Sequence, residues 1–215
     1  YLLASVDGIL ARLGVDYLDT LLLHRPDALM DPTEVAEAWL RLKLSGKVRH
    51  LGVSNMHSGQ MALLQRELAD PILINQLEMS LLKHDWLDDG TCFNDDQGKG
   101  TRQWGETLEY CRLQNIQLQA WGSLGKGWFS GAAPQDAPAS VHATASLVKK
   151  LAHQYDVPTE SLVLAWLLMH PARIQPVIGT SHPERIRACK EAESVPLSRG
   201  DWYQLYVTMR GRELP

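Results

Sequence analysis

The feature that most constrains this chain is an alternation. Five short apolar runs are separated by stretches of helical spacing, and the runs close on polar or glycine-bearing segments. Strands separated by helices pair in parallel through right-handed crossovers, which predicts an α/β fold. The runs are Leu18 to Leu23, Val48 to Val53, Ile72 to Leu77, Ile116 to Trp121 and Ile174 to Ile178, the last with Pro176 inside it, unusual for a central strand. Their ends carry His24, Ser54-Asn55, Gln76, Trp121-Gly122-Ser123 and Gly179-Thr180-Ser181. In a parallel barrel such ends share the face where barrel enzymes do chemistry. In a doubly wound open sheet they also line the ligand crevice, but no GxGxxG follows any strand here, so that fold's dinucleotide fingerprint is absent.

The helices have legible ends. Leu3, Val6, Leu10 and Leu13 share one face and Gly14 closes their helix. Asp31-Pro32-Thr33-Glu34 is a helix start, with a capping Asp and Pro in the first turn, and Gly46 ends that helix. Met61, Leu64 and Leu68 mark another, and Leu108 to Leu113 a further one. Val141, Val148, Ala152 and Tyr155 give a longer helix. The helix opened by Pro158 is apolar nearly all round through Trp166, which predicts burial. Pro183 opens the next, and Ser198 with Asp201 opens the last, whose buried face is Trp202, Leu205 and Met209. Between them, Asp88 to Trp104 is polar and aperiodic and reads as a long loop, and Gly122 to Pro138 as a second.

Net charge is −4, which gives no electrostatic reason to expect nucleic acid or an anionic membrane as partner. The most apolar run, Leu162 to Met169, is far too short to span a bilayer. Three widely spaced cysteines, Cys92, Cys111 and Cys189, form no CxxC or zinc pattern, and a reduced cytoplasmic setting is expected. The histidines lack ligand spacing and read as surface or cap residues, so no metal is expected. Trp86, Trp104 and Trp128 flank the loops, where they either line a substrate pocket or pack the loops down.

Five motifs in order resemble the aldo-keto reductase superfamily. They are Leu13-Gly14-Val15-Asp16-Tyr17-Leu18-Asp19 running to His24-Arg25-Pro26-Asp27; Ser45-Gly46-Lys47-Val48-Arg49 running to Leu51-Gly52-Val53-Ser54-Asn55; Asn75-Gln76-Leu77-Glu78; Ala120-Trp121; and Ile178-Gly179-Thr180 running to Pro183-Glu184-Arg185-Ile186. The resemblance implies a (β/α)8 TIM barrel in which these strands are the fourth to the eighth, and residues 1–215 the C-terminal part of one barrel domain. It also implies three earlier strands before Tyr1, carrying an Asp, a general-acid Tyr and a Lys.

The activity implied is reduction of a small aldehyde or ketone by NADPH, with NADP(H) as cofactor and the oligomeric state left open. By the same resemblance His24 orients the substrate carbonyl, where on residues alone it reads as a strand-end cap. Ser54, Asn55 and Gln76 hold the nicotinamide carboxamide, against a plain Ser-Asn turn. Trp121 stacks on the nicotinamide ring, against a core tryptophan. Gly122, Ser123 and Leu124, on to Lys126, face the pyrophosphate. Gly179, Thr180, Ser181 and Arg185 take the adenosine 2′-phosphate at a helix N-terminus, against an ordinary cap with a surface arginine. Two other classes compete: a non-catalytic NADP-binding or scaffold protein of the same fold, and a phosphate-handling barrel enzyme such as an aldolase or isomerase.

Overall fold

A computed structural model describes residues 1–96 and 105–215. Trp104 and the last part of the expected long loop lie outside the described residues. The chain divides into two compact units, residues 1–77 with 105–117 and residues 78–104 with 118–215.

The first unit holds helices α1 (Leu2–Leu13), α2 (Pro32–Leu44), α3 (Ser58–Glu67) and α5 (Thr107–Leu113), with strands β1 (Leu18–Leu23), β2 (Val48–Ser54) and β3 (Ile74–Glu78), whose last residue opens the second unit. Gly14 takes φ 65° and its N–H closes α1 on Leu10 O at 2.9 Å, a left-handed cap that a side chain would strain. Asp31 caps α2 by accepting from Thr33 N at 2.8 Å. Trp39 and Leu42 are the buried face of α2, and the indole N–H of Trp39 reaches Asp70 Oδ2 at 3.0 Å. Lys43 also pairs with Asp70, and the two contacts hold that carboxyl below its ordinary range. The strands are parallel. Leu18 to Leu23 pairs with Val48 to Val53, and Val53 and Ser54 pair with Asn75 and Gln76.

The register makes Gly52 obligatory. A methyl there would overlap Leu22 Cδ2 from one side and stand 3.1 Å from the Ile74 carbonyl oxygen on the other. Its absence lets β1 and β3 close on β2, and so fixes the spacing of the residues at the three strand ends.

The second unit holds α4 (Asp85–Thr91), β4 (Gln117–Trp121, whose first residue closes the first unit), α6 (Ala139–Tyr155), α7 (Thr159–Leu168), β5 (Gln175–Pro176), α8 (Pro183–Lys190) and α9 (Arg199–Arg210). Short 3-10 turns occupy Gly125–Ser130 and Glu191–Ser194. As its pattern predicts, α7 is covered all round: seven consecutive residues, Ser161 to Leu167, are buried. Trp166 and Trp202 stack at 5.1 Å with planes 9° apart, and each indole N–H donates to the other residue's carbonyl, at 3.1 and 2.8 Å. The pair therefore buries two large rings with no unpaired N–H. Trp86 packs edge-on against Trp166 at 5.9 Å, so it holds the segment down and lines no pocket described below.

Two expectations need correction. The polar stretch from Asp88 begins inside a helix, because Asp88 is buried there. It accepts from Tyr206 Oη at 2.5 Å and from Arg210 Nε at 2.8 Å, and the arginine side chain is only 1% exposed. Such partners lie more than a hundred residues along the chain. The fifth strand is two residues long, shorter than Ile174 to Ile178. Val177 N donates to Ala120 O at 2.9 Å, so alternation turns the nitrogen of Pro176 away from β4. A proline stands there without breaking the ladder but supplies no donor to prolong it on the other side. Among the described residues no helix is long and apolar enough to cross a membrane.

Gly52→Ala should lower unfolding stability by about 1–3 kcal/mol, the usual cost of overfilling a packed site. Urea unfolding of the two proteins measures it, and equal midpoints and slopes would show that β1 and β3 can yield.

Candidate active site

In the first unit the strand ends converge on one carbonyl. Where β2 stops, Gln76 O on β3 accepts from Ser54 Oγ at 2.7 Å and from the Asn55 backbone N–H at 3.0 Å. Asn55 turns into the left-handed region (φ 57°), a conformation asparagine tolerates better than most residues. The turn brings its side-chain amide round to donate to His24 O at 3.1 Å and to Ser54 Oγ at 2.9 Å. Ser54 is buried, and its hydroxyl hydrogen is used inside the protein. Its part is to fix Asn55 and Gln76 in place. His24 follows β1 directly and its imidazole is exposed. The structure thus brings Ser54, Asn55 and Gln76 together with the backbone of His24.

Behind this group, Asn75 is fully buried and donates to Met56 O at 2.8 Å, while its Oδ1 has no partner. Burial pushes the neighbouring Cys111 thiol up to about 12, so this cysteine stays protonated and inert.

In the second unit a groove of about 450 Å3 opens beside β4 and β5. Trp121, Gly122, Ser123 and Leu124 line one side, and Gly179, Thr180 and Arg185 line another. Ser181 is exposed and does not line it. Ser123 is buried and donates to Val177 O at 3.0 Å, which pins the turn after β4 to the segment after β5. The turn itself is unusual. Gly122, Gly125, Lys126 and Gly127 all have positive φ, at 64°, 56°, 59° and 74°. A side chain at Gly125 would meet Phe129 at 3.0 Å and Leu82 at 3.2 Å, so this backbone is bare by necessity. Lys126 points its ammonium over the Trp128 ring at 5.3 Å. Thr180 Oγ1 accepts from His182 N at 3.2 Å, one turn before Arg185 on α8.

The groove also contains Glu160, from the first turn of α7. The sequence gives little sign of it, because an acidic residue there looks like ordinary helix-start chemistry. Behind the groove, burial pushes the Cys189 thiol up, and the Glu160 charge adds to it.

Backbone freed by glycine, two cations and an aromatic side chain in one groove make a place for a phosphorylated, planar ligand. The sequence matches the model of the Aldo/keto reductase family over residues 1–206. The chain belongs to that family. It is 35% identical over 211 residues to a 6-dehydroglucose reductase of Agrobacterium fabrum, an alignment covering 98% of this chain and 63% of that protein. It is 36% identical over 215 residues to a 6-dehydroglucose reductase of Novosphingobium aromaticivorans, covering all of this chain and 64% of the relative. Oxidoreductase YdhF of Escherichia coli is 33% identical over 221 residues, with 65% of it covered. Among solved structures, the thermostable aldo-keto reductase Tm1743 in complex with the inhibitor epalrestat aligns with a TM-score of 0.74 at 21% identity, over 96% of this chain and 65% of that one. The chain spans just under two thirds of the length of these aldo/keto reductase relatives. The fold class is that of the family, the (β/α)8 barrel, with these five parallel strands among its eight.

On the expectation from the resemblance that Arg185 meets a 2′-phosphate, Arg185→Ala should weaken NADPH binding by about 1.5–3 kcal/mol, the worth of a charge-assisted hydrogen bond, and leave NADH nearly unchanged. Titration of both dinucleotides against both proteins checks it, and equal losses would remove Arg185 from the 2′-phosphate.

Proposed function

We propose that the protein reduces an aldehyde or ketone to the alcohol at the expense of NADPH, with residues 1–215 as part of one barrel domain acting on small carbonyl compounds in the cytoplasm. The observation that carries this reading is the groove in which Trp121, the bare glycine turn, Lys126, Thr180 and Arg185 meet. Its residues fit a nicotinamide dinucleotide: an uncrowded glycine turn and two cations for phosphates, and an indole for a flat ring. When bound, that cofactor supplies the hydride.

The family resemblance attributes the rest of the work to residues of this chain. By that resemblance Trp121 of the second unit is assigned to the nicotinamide ring, and Asn55 and Gln76 of the first unit to its carboxamide. Ser54 Oγ accepts from the Asn55 side-chain amide and donates to the Gln76 backbone carbonyl, bracing both residues. Gly122, Ser123, Leu124 and Lys126 take the pyrophosphate, and Gly179, Thr180 and Arg185 the 2′-phosphate, with Ser181 exposed outside the groove. His24, exposed at the end of β1, donates an imidazole N–H to the substrate carbonyl and fixes its oxygen for attack. The carbonyl oxygen must also gain a proton. The family resemblance assigns that proton to a tyrosine paired with a lysine, and no such pair stands among the strand-end residues described above.

The test is loss of the NADPH absorbance band on addition of a reactive aldehyde. His24→Ala should lower kcat/KM by about tenfold or more, the worth of one positioning hydrogen bond, with cofactor affinity unchanged. NADPH bound without consumption under any carbonyl substrate would instead make the protein a nucleotide-binding scaffold.

A further inference from the structure

Three charges line the groove of the second unit: Lys126 on the glycine turn, Arg185 on α8 and Glu160 on α7. Among the described residues none of them has an ion-pair partner within 4 Å. Lys126 lies over Trp128, and Glu160 Oε2 accepts only from its neighbour Thr159 Oγ1, at 3.0 Å. Glu160 of α7 and Arg185 of α8 line the same groove. The next residue, Ser161, is buried and donates to Ala188 O at 2.6 Å, which ties the first turn of α7 to α8. Arg185 and Cys189 lie four residues apart on that helix and so share a face, and the Glu160 charge is felt at Cys189. The carboxylate therefore stands in the same groove as the arginine without neutralising it.

An unpaired carboxylate there acts oppositely on two otherwise identical ligands. A ribose carrying free hydroxyls can donate hydrogen bonds to it, whereas a 2′-phosphate dianion is repelled. We infer that Glu160 is the residue that sets cofactor choice in this groove, holding back the preference for a 2′-phosphorylated dinucleotide that Arg185 and Lys126 would otherwise impose. The inference rests on the groove being the dinucleotide site proposed above. It makes the protein a user of both NADPH and NADH, with the balance set by one carboxylate against two cations.

Dissociation constants for NADPH and NADH, measured by calorimetry on the unaltered protein, Glu160→Gln and Glu160→Ala, test this without any turnover. Both substitutions should shift the ratio of the two affinities toward NADPH by about tenfold, equivalent to about 1.4 kcal/mol. The shift should shrink in about 1 M salt, where charges more than a few ångströms apart are screened. Because the ratio is taken within one protein, a general loss of fold lowers both affinities and does not mimic the result. An unchanged ratio in both variants overturns the inference and leaves the groove assignment standing. Failure of the unaltered protein to bind either dinucleotide overturns the groove assignment and the inference with it.

Discussion

Where a parallel strand stops, its neighbour's next carbonyl must find donors beyond the regular ladder, and a buried carbonyl cannot go unpaired at small cost. The chain answers this twice with a serine. Ser54, the last residue of β2, gives its hydroxyl hydrogen to Gln76 O, and Ser123, two residues past β4, gives its own to Val177 O. Each bond is 3.0 Å or shorter, and each serine is almost wholly buried. These hydroxyls, joined at Gln76 O by the Asn55 N–H, carry the pairing past the strand ends, where the backbone turns. Asn55 turns at φ 57° and swings its amide toward His24 O, and Gly122 turns at φ 64° beside Trp121. The candidate-site groups stand at the strand ends, where the hydrogen-bond accounting lets the chain bend.

Burial separates the charges that hold the structure from those available to a ligand. Asp88 and Arg210 are inside, where a lone charge would be costly, and they are satisfied by each other and by Tyr206. They fasten α4 to α9 and have nothing left to offer outward. Lys126, Glu160 and Arg185 border water in the groove, where an unpaired charge is tolerated, and they keep their fields for whatever enters.

The fold was legible because its signals are local. Strand and helix alternation, the αL glycine at position 14 and the caps at Asp31 and Ser198 are each decided within a few residues. The helix Asp85–Thr91 was not, since its buried Asp88 depends on residues near the other end of the chain. Pro176 was readable as a warning about the last strand, though not as the reason the strand shrinks to two residues. At the candidate site, residue types were legible and their duties less so. Sequence marks Ser54 and Ser123 as polar residues at strand ends, but only geometry shows that both hydroxyls are given to backbone carbonyls. Glu160 was invisible for a related reason: a carboxylate in the first turn of a helix has an ordinary explanation, and nothing in the pattern shows that the turn overlooks a groove.

The central claim is that the glycine turn after β4 presents Trp121 to a nicotinamide ring. Tryptophan fluorescence of the unaltered protein and of Trp121→Ala, titrated with NADP+, measures this directly, with six other tryptophans as the background. The account predicts a saturable quench that falls by more than half in the variant. An equal quench in the two proteins would contradict it and return Trp121 to the packing of the second unit.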